Sequence, residues 1–292
     1  MAKKRTFAPR RRCGTMAAHM RLLEAYAPLR ARQARLEQQT ARRRSELALA
    51  VPKLVTVKVV VNVVYRTEAQ NVSNAQVKSQ IAVLNRDFAA TNTDKTKVPA
   101  VWKGLVTDAR LRFTLAKTVR KKTTKASFAT DDSVKRASSG GIAAFQPSTH
   151  MNLWVCVLAG GVLGYAQFPG GPAATDGVVI NYEAFGTSGT AQAPFDKGRT
   201  ATHEVGHYFN LRHIWGDTPD CSGSDMVPDT PNCAGPNTGK PSWPVVTCNN
   251  GPNGDMFMNY MDYTDDAAMF MFSTQQVLRM RTALETVRSG LM

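Results

Sequence analysis

The chain has no apolar run approaching the roughly 20 residues that a membrane-spanning helix needs, so neither a transmembrane segment nor a membrane partner is predicted. Its five cysteines in 292 residues are too few for a disulfide scaffold, and an odd count leaves at least one unpaired within a monomer. The N-terminal string MAKKRTFAPRRRCGT is basic, but no apolar stretch follows it, so it does not read as a secretory signal peptide. Acidic residues are scarce, 22 against 37 Lys and Arg, giving a net charge of +15. Such an excess raises nucleic acid as a partner, but its distribution argues otherwise. Residues 1–48 hold 13 Lys and Arg against Glu24, Glu37 and Glu46, a net +10 that leaves only +5 for everything else. With no basic stripe or interleaved aromatics beyond that arm, no nucleic-acid partner is expected. The window 203–272 even reverses the sign, with Arg212 and Lys240 facing nine acidic residues.

What is present is enough apolar material, 43% of residues, to bury the core of one or two domains. A compositional break near residue 50 divides the chain into 1–50 and 51–292. Residues 17–49 are mostly Ala, Leu, Arg, Gln and Glu around a lone Pro28, which predicts two helical pieces forming an appendage rather than a core. After Pro52, VTVKVVVNVVY at 55–65 is dense in β-branched residues and predicts a strand. Ser73 as N-cap, with Val77, Ile81, Leu84 and Phe88 at helical spacing, predicts a helix over 74–88. Further strands are predicted at 111–115, 151–158, 163–168 and 177–182, a mixed sheet of four or five strands. The polar stretch 117–150 receives no assignment. Helices are predicted at 198–209 and 274–287, with a Gly-, Pro-, Asp- and Asn-rich loop over 216–255 between them. A loop that long in a compact domain is usually functional. The fold class is α+β.

Three of the five histidines fall in HEVGHYFNLRH, residues 203–213. On a helix, His203 and His207 project from one face, where two imidazole nitrogens can meet one Zn²⁺ at about 2.0–2.1 Å. A five-residue HExxH also arises by chance on surface helices; the third histidine, His213, shifts that balance. His213 can join the others only if the backbone turns near Asn210, and Asn is, after Gly, the residue that most readily adopts the left-handed conformation ending a helix. Three neutral histidines leave a fourth zinc position for water, and Glu204 lies beside them to take its proton.

HEVGHYFNLRH resembles the extended zinc signature of the metzincin metallopeptidases, in which a Gly normally stands where this chain has Asn210. The strings IWGD, CSGSDMVPDTP and DMFMNYMDYTDDAAMFMFS make the chain similar to the pappalysin family, specifically its ulilysin-like members, over most of 55–290. The resemblance implies a metzincin-type zincin with a mixed twisted sheet, an active-site helix and a C-terminal helix, preceded by a helical prosegment. It implies that Met261 forms a tight turn beneath the metal and that Tyr263 hydrogen-bonds the developing oxyanion. It further implies an edge strand, with Gly164, Tyr165 and Ala166, that pairs with extended substrate. Asp225, Asp229 and Thr230 resemble a calcium loop, and Cys221 and Cys248 a disulfide pair. Lys240 and Ala268 stand where relatives often carry a second pair, leaving Cys233 unassigned and Cys156 as a buried strand thiol. Cys13 in RRRCGT resembles the prosegment cysteine whose thiolate occupies zinc until the prosegment is cut away, for which the run Arg42, Arg43 and Arg44 is a processing site. Asp265 and Asp266 would attract basic substrate side chains.

Taken together, the resemblance implies a secreted zinc endopeptidase, made as a latent zymogen and cutting proteins or peptides next to basic residues as a monomer. Two readings from other classes compete. An inactive, metal-stabilised binding domain leaves Glu204 unexplained, because zinc retention does not need it. A nucleic-acid binder would use the basic arm alone.

Overall fold

A computed structural model describes residues 10–46 and 52–292. The β-branched run forms β1 (Val55–Tyr65), buried without interruption from Val59 to Val64. Burial on both faces follows from its place in the sheet. It lies between β2 (Leu111–Lys122) and β3 (Met151–Cys156), both parallel to it, and parallel strands are usually covered on each side. The five-stranded order is β2-β1-β3-β5-β4, with β5 (Val178–Asn181) parallel to β3. The edge strand β4 (Gly164–Ala166) is antiparallel to β5, so the sheet is mixed as expected.

Helix α3 (Asn74–Phe88) follows β1 and starts where predicted, the Ser73 hydroxyl accepting from the Gln76 backbone at 3.1 Å. A single turn, α4 (Ala100–Lys103), leads into β2. Val57, Val59, Val61 and Val63 pack with Leu84 and Phe88 of α3 and with Ala201 and Val205 of α5 (Arg199–Tyr208). Trp154, Cys156 and Val179 belong to a second, smaller cluster with Phe128, Val134, Leu158 and Tyr165. The polar stretch after β2 therefore supplies a cover for the sheet.

Between α5 and α6 (Thr274–Thr286), which closes the body, the chain forms the paired two-residue strands β6 (Thr238–Gly239) and β7 (Tyr263–Thr264) and a 3-10 turn at Asp266–Ala268. The N-terminal arm comprises α1 (Thr15–Ala25), against β4, and α2 (Pro28–Glu46), against α6. Pro28 stands at the first position of α2, where its missing N–H costs nothing. The part of the predicted helix at 47–49 lies outside the described residues.

One strand runs further than predicted. Residues 117–122 continue β2, in register with β1 as far as Tyr65 and Lys122. Their polarity is that of an edge strand, where lysines face solvent and discourage further pairing. A hydrophobic pattern reports burial, and this half of the strand is hydrogen-bonded without being buried.

Candidate metal centre and cleft

The helix carrying His203 and His207 ends in a Schellman motif, which brings the third histidine back. Asn210 has φ 77°, the Leu211 N–H bonds Gly206 O, and the Asn210 N–H bonds His207 O, each at 2.9 Å. Asn210 is thus left-handed where α5 ends. The three Nε2 atoms converge, His203 to His207 and to His213 at 3.2 Å and His207 to His213 at 3.1 Å. Two donors about 2.0–2.1 Å from one tetrahedral ion stand roughly 3.3 Å apart, so the spacing fits a shared metal.

The opposite ring nitrogens are committed. His203 Nδ1 donates to Tyr260 O and His207 Nδ1 to Leu211 O, each at 2.7 Å, and His213 Nδ1 to Asp217 at 2.5 Å. These bonds fix the tautomer that leaves each Nε2 lone pair free for a metal. Burial, then the neighbouring imidazoles, hold His203 and His207 well below the usual histidine range, which favours the neutral ligand form. Asp217 was not singled out in the sequence; its place four residues after His213, in IWGD, was the available signal.

Met261 is fully buried against α5. A Cβ on Gly206 would stand 2.5 Å from its sulfur, so the Gly in HEVGH is where the helix and the methionine turn touch. Tyr263 packs edge-on to His213, ring centres 4.9 Å apart, while Trp215 stacks on that imidazole at 4.4 Å.

Cys13 is brought to the same centre. Its sulfur lies 3.5 Å from His207 Nε2 and 3.5 Å from Glu204 Oε2, and with the three histidines it forms a compact four-donor set. Burial, then the Glu204 charge, push its thiol well above the usual range in the absence of a cation. Burial also raises Glu204, to about 7, against opposing bonds from Thr15 and Cys13.

The arm lies on the edge strand. Leu163 N–H donates to Arg12 O and Gly14 N–H to Gly164 O, each at 2.8 Å, in a parallel sense. Thr15 links two parts of the cleft: its hydroxyl donates to Glu204 at 2.8 Å and accepts from Ala166 N at 2.8 Å. Gly164 and Ala166, expected to pair with extended substrate, face the arm. Tyr165 does not, because its backbone sits opposite Val179 and its ring is buried in the smaller core cluster. A side chain at position 164 would meet Glu204 at 2.8 Å.

Of the two candidate acidic residues, Asp266 is engaged. Arg11 donates to it at 2.6 Å, to Thr200 at 3.0 Å and to Thr264 O at 3.2 Å, and this ion pair is wholly buried. Asp265 makes no such bond; burial raises its carboxyl, with Lys240 and Arg11 opposing. Arg11, Thr15 and Thr200 were not singled out from sequence, and no local pattern marks contacts spanning 151 to 255 positions.

The other expected sites are partly assembled. Cys221 and Cys248 form the disulfide, with Cys156 and Cys233 buried and free. Asp225 accepts from Thr230 at 2.7 Å, whereas Asp229 turns to the start of α6, accepting from Ser273 and the Gln275 backbone. The run Arg42, Arg43 and Arg44 lies in the last turns of α2, with Arg43 paired to Glu285. A peptidase reads extended chain, so cleavage there requires that end of α2 to unwind.

Several known proteins are similar to this chain. Residues 136–285 match the peptidase M43 family described as pregnancy-associated plasma protein-A. An extracellular metalloprotease of Pyricularia oryzae is 30% identical over 96% of this chain and 90% of its own length. Extracellular metalloprotease 1 of Coccidioides posadasii is 33% identical over 75% and 72%. Among solved structures, a promirolysin mutant of Tannerella forsythia is 40% identical with a TM-score of 0.85, covering 96% of this chain and 97% of that one. Mature mirolysin with a cleaved peptide is 45% identical with a TM-score of 0.81, covering 82% and 96%. No helix among the described residues is long and apolar enough to cross a membrane. The chain belongs to the pregnancy-associated plasma protein-A family and is a metalloendopeptidase.

Proposed function

We propose that His203, His207 and His213 hold a catalytic zinc, that Glu204 is the general base, and that residues 1–50 are an inhibitory prosegment on a catalytic domain of 51–292. The convergence of three Nε2 atoms, each backed by a fixed Nδ1 bond, beside the Glu204 carboxylate carries this reading. Zinc, when bound, supplies Lewis acidity to the scissile carbonyl and to a water. Glu204 takes the proton of the attacking water and returns it to the leaving amine. The Tyr263 phenol donates to the oxygen on which negative charge develops. Gly164 and Ala166 offer main-chain bonds to an extended peptide along the sheet edge.

Latency is supported by what the arm occupies. Cys13 stands where a fourth ligand belongs, Thr15 satisfies Glu204, and residues 12–14 take the sheet edge. The matched share of the chain falls from 96% with promirolysin to 82% with mature mirolysin, consistent with an N-terminal segment that maturation removes. Arg11 in the buried Asp266 site supports preference for a basic side chain there. Relatives named extracellular support secretion. Calcium at Asp225 and Thr230 is supported by burial that pushes the Asp225 carboxyl up to about 7, a group a cation would relieve.

The test uses purified chain, processed by limited proteolysis, with Arg-containing peptides. Glu204→Gln should lower kcat by about 10²–10⁴ while zinc stays bound, and a chelator should abolish cleavage. Turnover that survives the mutation or the chelation would refute the mechanism.

A further inference from the structure

Arg279, on α6, has no part in the scheme above, yet it is only 1% exposed. Its Nε donates to Asn210 O at 2.7 Å, and its terminal nitrogens grip the Glu37 carboxylate of α2 at 2.6 and 2.5 Å. The Asn210 amide also points to Glu37, at 3.4 Å. Asn210 is the left-handed residue that ends α5 and directs the chain toward His213. Carbonyls at a helix end have no partner within the helix, and this one is answered by an arginine. Arg288 does the same for Tyr208 O at 2.8 Å.

We propose that Arg279 is a positioning residue for the metal-binding turn and that Glu37 locks it, so that metal retention depends on an ion pair touching neither the metal ligands nor Glu204. The proposal rests on the reading that the three histidines hold zinc. A guanidinium is a rigid plane, so a carboxylate gripping its fork also fixes the direction of its Nε–H. With Glu37 in place, Asn210 O is pinned and the path from His207 through Leu211 to His213 is held. When α2 leaves, the Asn210 bond persists without its clamp, and the turn opens more often. Metal sites are sensitive to such outer hydrogen-bond partners.

The experiment loads the full-length chain with zinc and follows its transfer to a chromogenic chelator, with cobalt substitution to read the ligand field. Arg279→Gln should release zinc on the order of 10-fold faster, the scale on which outer partners act, and should shift the cobalt spectrum. Arg279→Lys can reach the carbonyl but cannot form the fork, so its rate should fall between. Glu37→Gln, at a side chain 25% exposed, keeps the fold and should accelerate release less than Arg279→Gln. A folded Arg279→Gln with unchanged release and spectrum overturns the positioning role. Unchanged release in Glu37→Gln overturns the coupling, and this variant decides it even if Arg279→Gln does not fold. If the unmodified chain takes up no zinc, the reading beneath this inference fails first, a result distinct from unchanged release.

Discussion

Residues 10–25 are held from within the cleft, by the buried Arg11–Asp266 pair, by Thr15 on Glu204, by Cys13 among the histidines and by backbone bonds to β4. Residues 28–46 are held by the buried Leu29 and Leu36, each 1% exposed, and on α6 by the Glu37–Arg279 and Arg43–Glu285 pairs. The first half occupies groups that the proposed mechanism needs and is made of buried polar chemistry. The second half occupies none of them and is a charged helix resting on a few leucines. Blocking and anchoring are therefore separable, and the anchor is the weaker part.

The largest test of that separation is Cys13→Ala. Full-length protein should gain peptidase activity of at least about 10-fold without any cut, corresponding to more than about 1.4 kcal/mol of lost block; an inert full-length variant would remove Cys13 from the latency argument. Next comes Arg11→Ala, which strands Asp266 in the interior. Breaking a buried pair costs about 3–5 kcal/mol, and two backbone N–H bonds to Asp266 place this case at the low end. The readout is faster proteolysis of the arm in the uncut protein. Leu36→Ala should cost about 2–3 kcal/mol, the lower range for a buried leucine, and loosen α2 while activity stays silent. Activity appearing with Leu36→Ala would show that the two halves are one unit.

The smallest effect concerns pH. Burial raises the Glu285 carboxyl, but Arg43 and Arg281 overcome this and hold it below the usual range. A carboxylate lowered on folding stabilises above its ordinary pKa of about 4.3 and loses that contribution as pH falls through the lower folded value. Screening at this half-exposed site keeps the effect to about 1 kcal/mol or less. Accessibility of α2, followed by hydrogen exchange, should be flat from pH 8 to about 5 and rise only below about 4. A rise already near neutrality would place another group in control.

Most local features were legible because local chemistry writes them. Val55–Tyr65 follows from β-branching, Asn74–Phe88 from Ser73 and its spacing, and the return of His213 from the left-handed tolerance of Asn210. The second half of β2 was not, because lysines on an edge strand carry no burial signal. Thr15, Arg11, Thr200, Arg279 and Asp217 were missed for another reason. Each is an ordinary polar residue whose role comes from a partner brought near by the fold, and a single sequence marks no such pairing. Tyr165 shows the converse, since the right strand was found but alternation turns that ring away from the cleft.

Asp266 serves two masters. One carboxylate oxygen meets Arg11, while the other receives the backbone N–H groups of Lys197 and Arg199, where α5 begins. An engineer who replaced it to recruit acidic or apolar substrates would also unfasten the helix that presents His203 and Glu204. The selectivity proposed for this carboxylate is thus tethered to the scaffold, and retargeting is better sought at Asp265, whose side chain makes no hydrogen bond to the start of that helix.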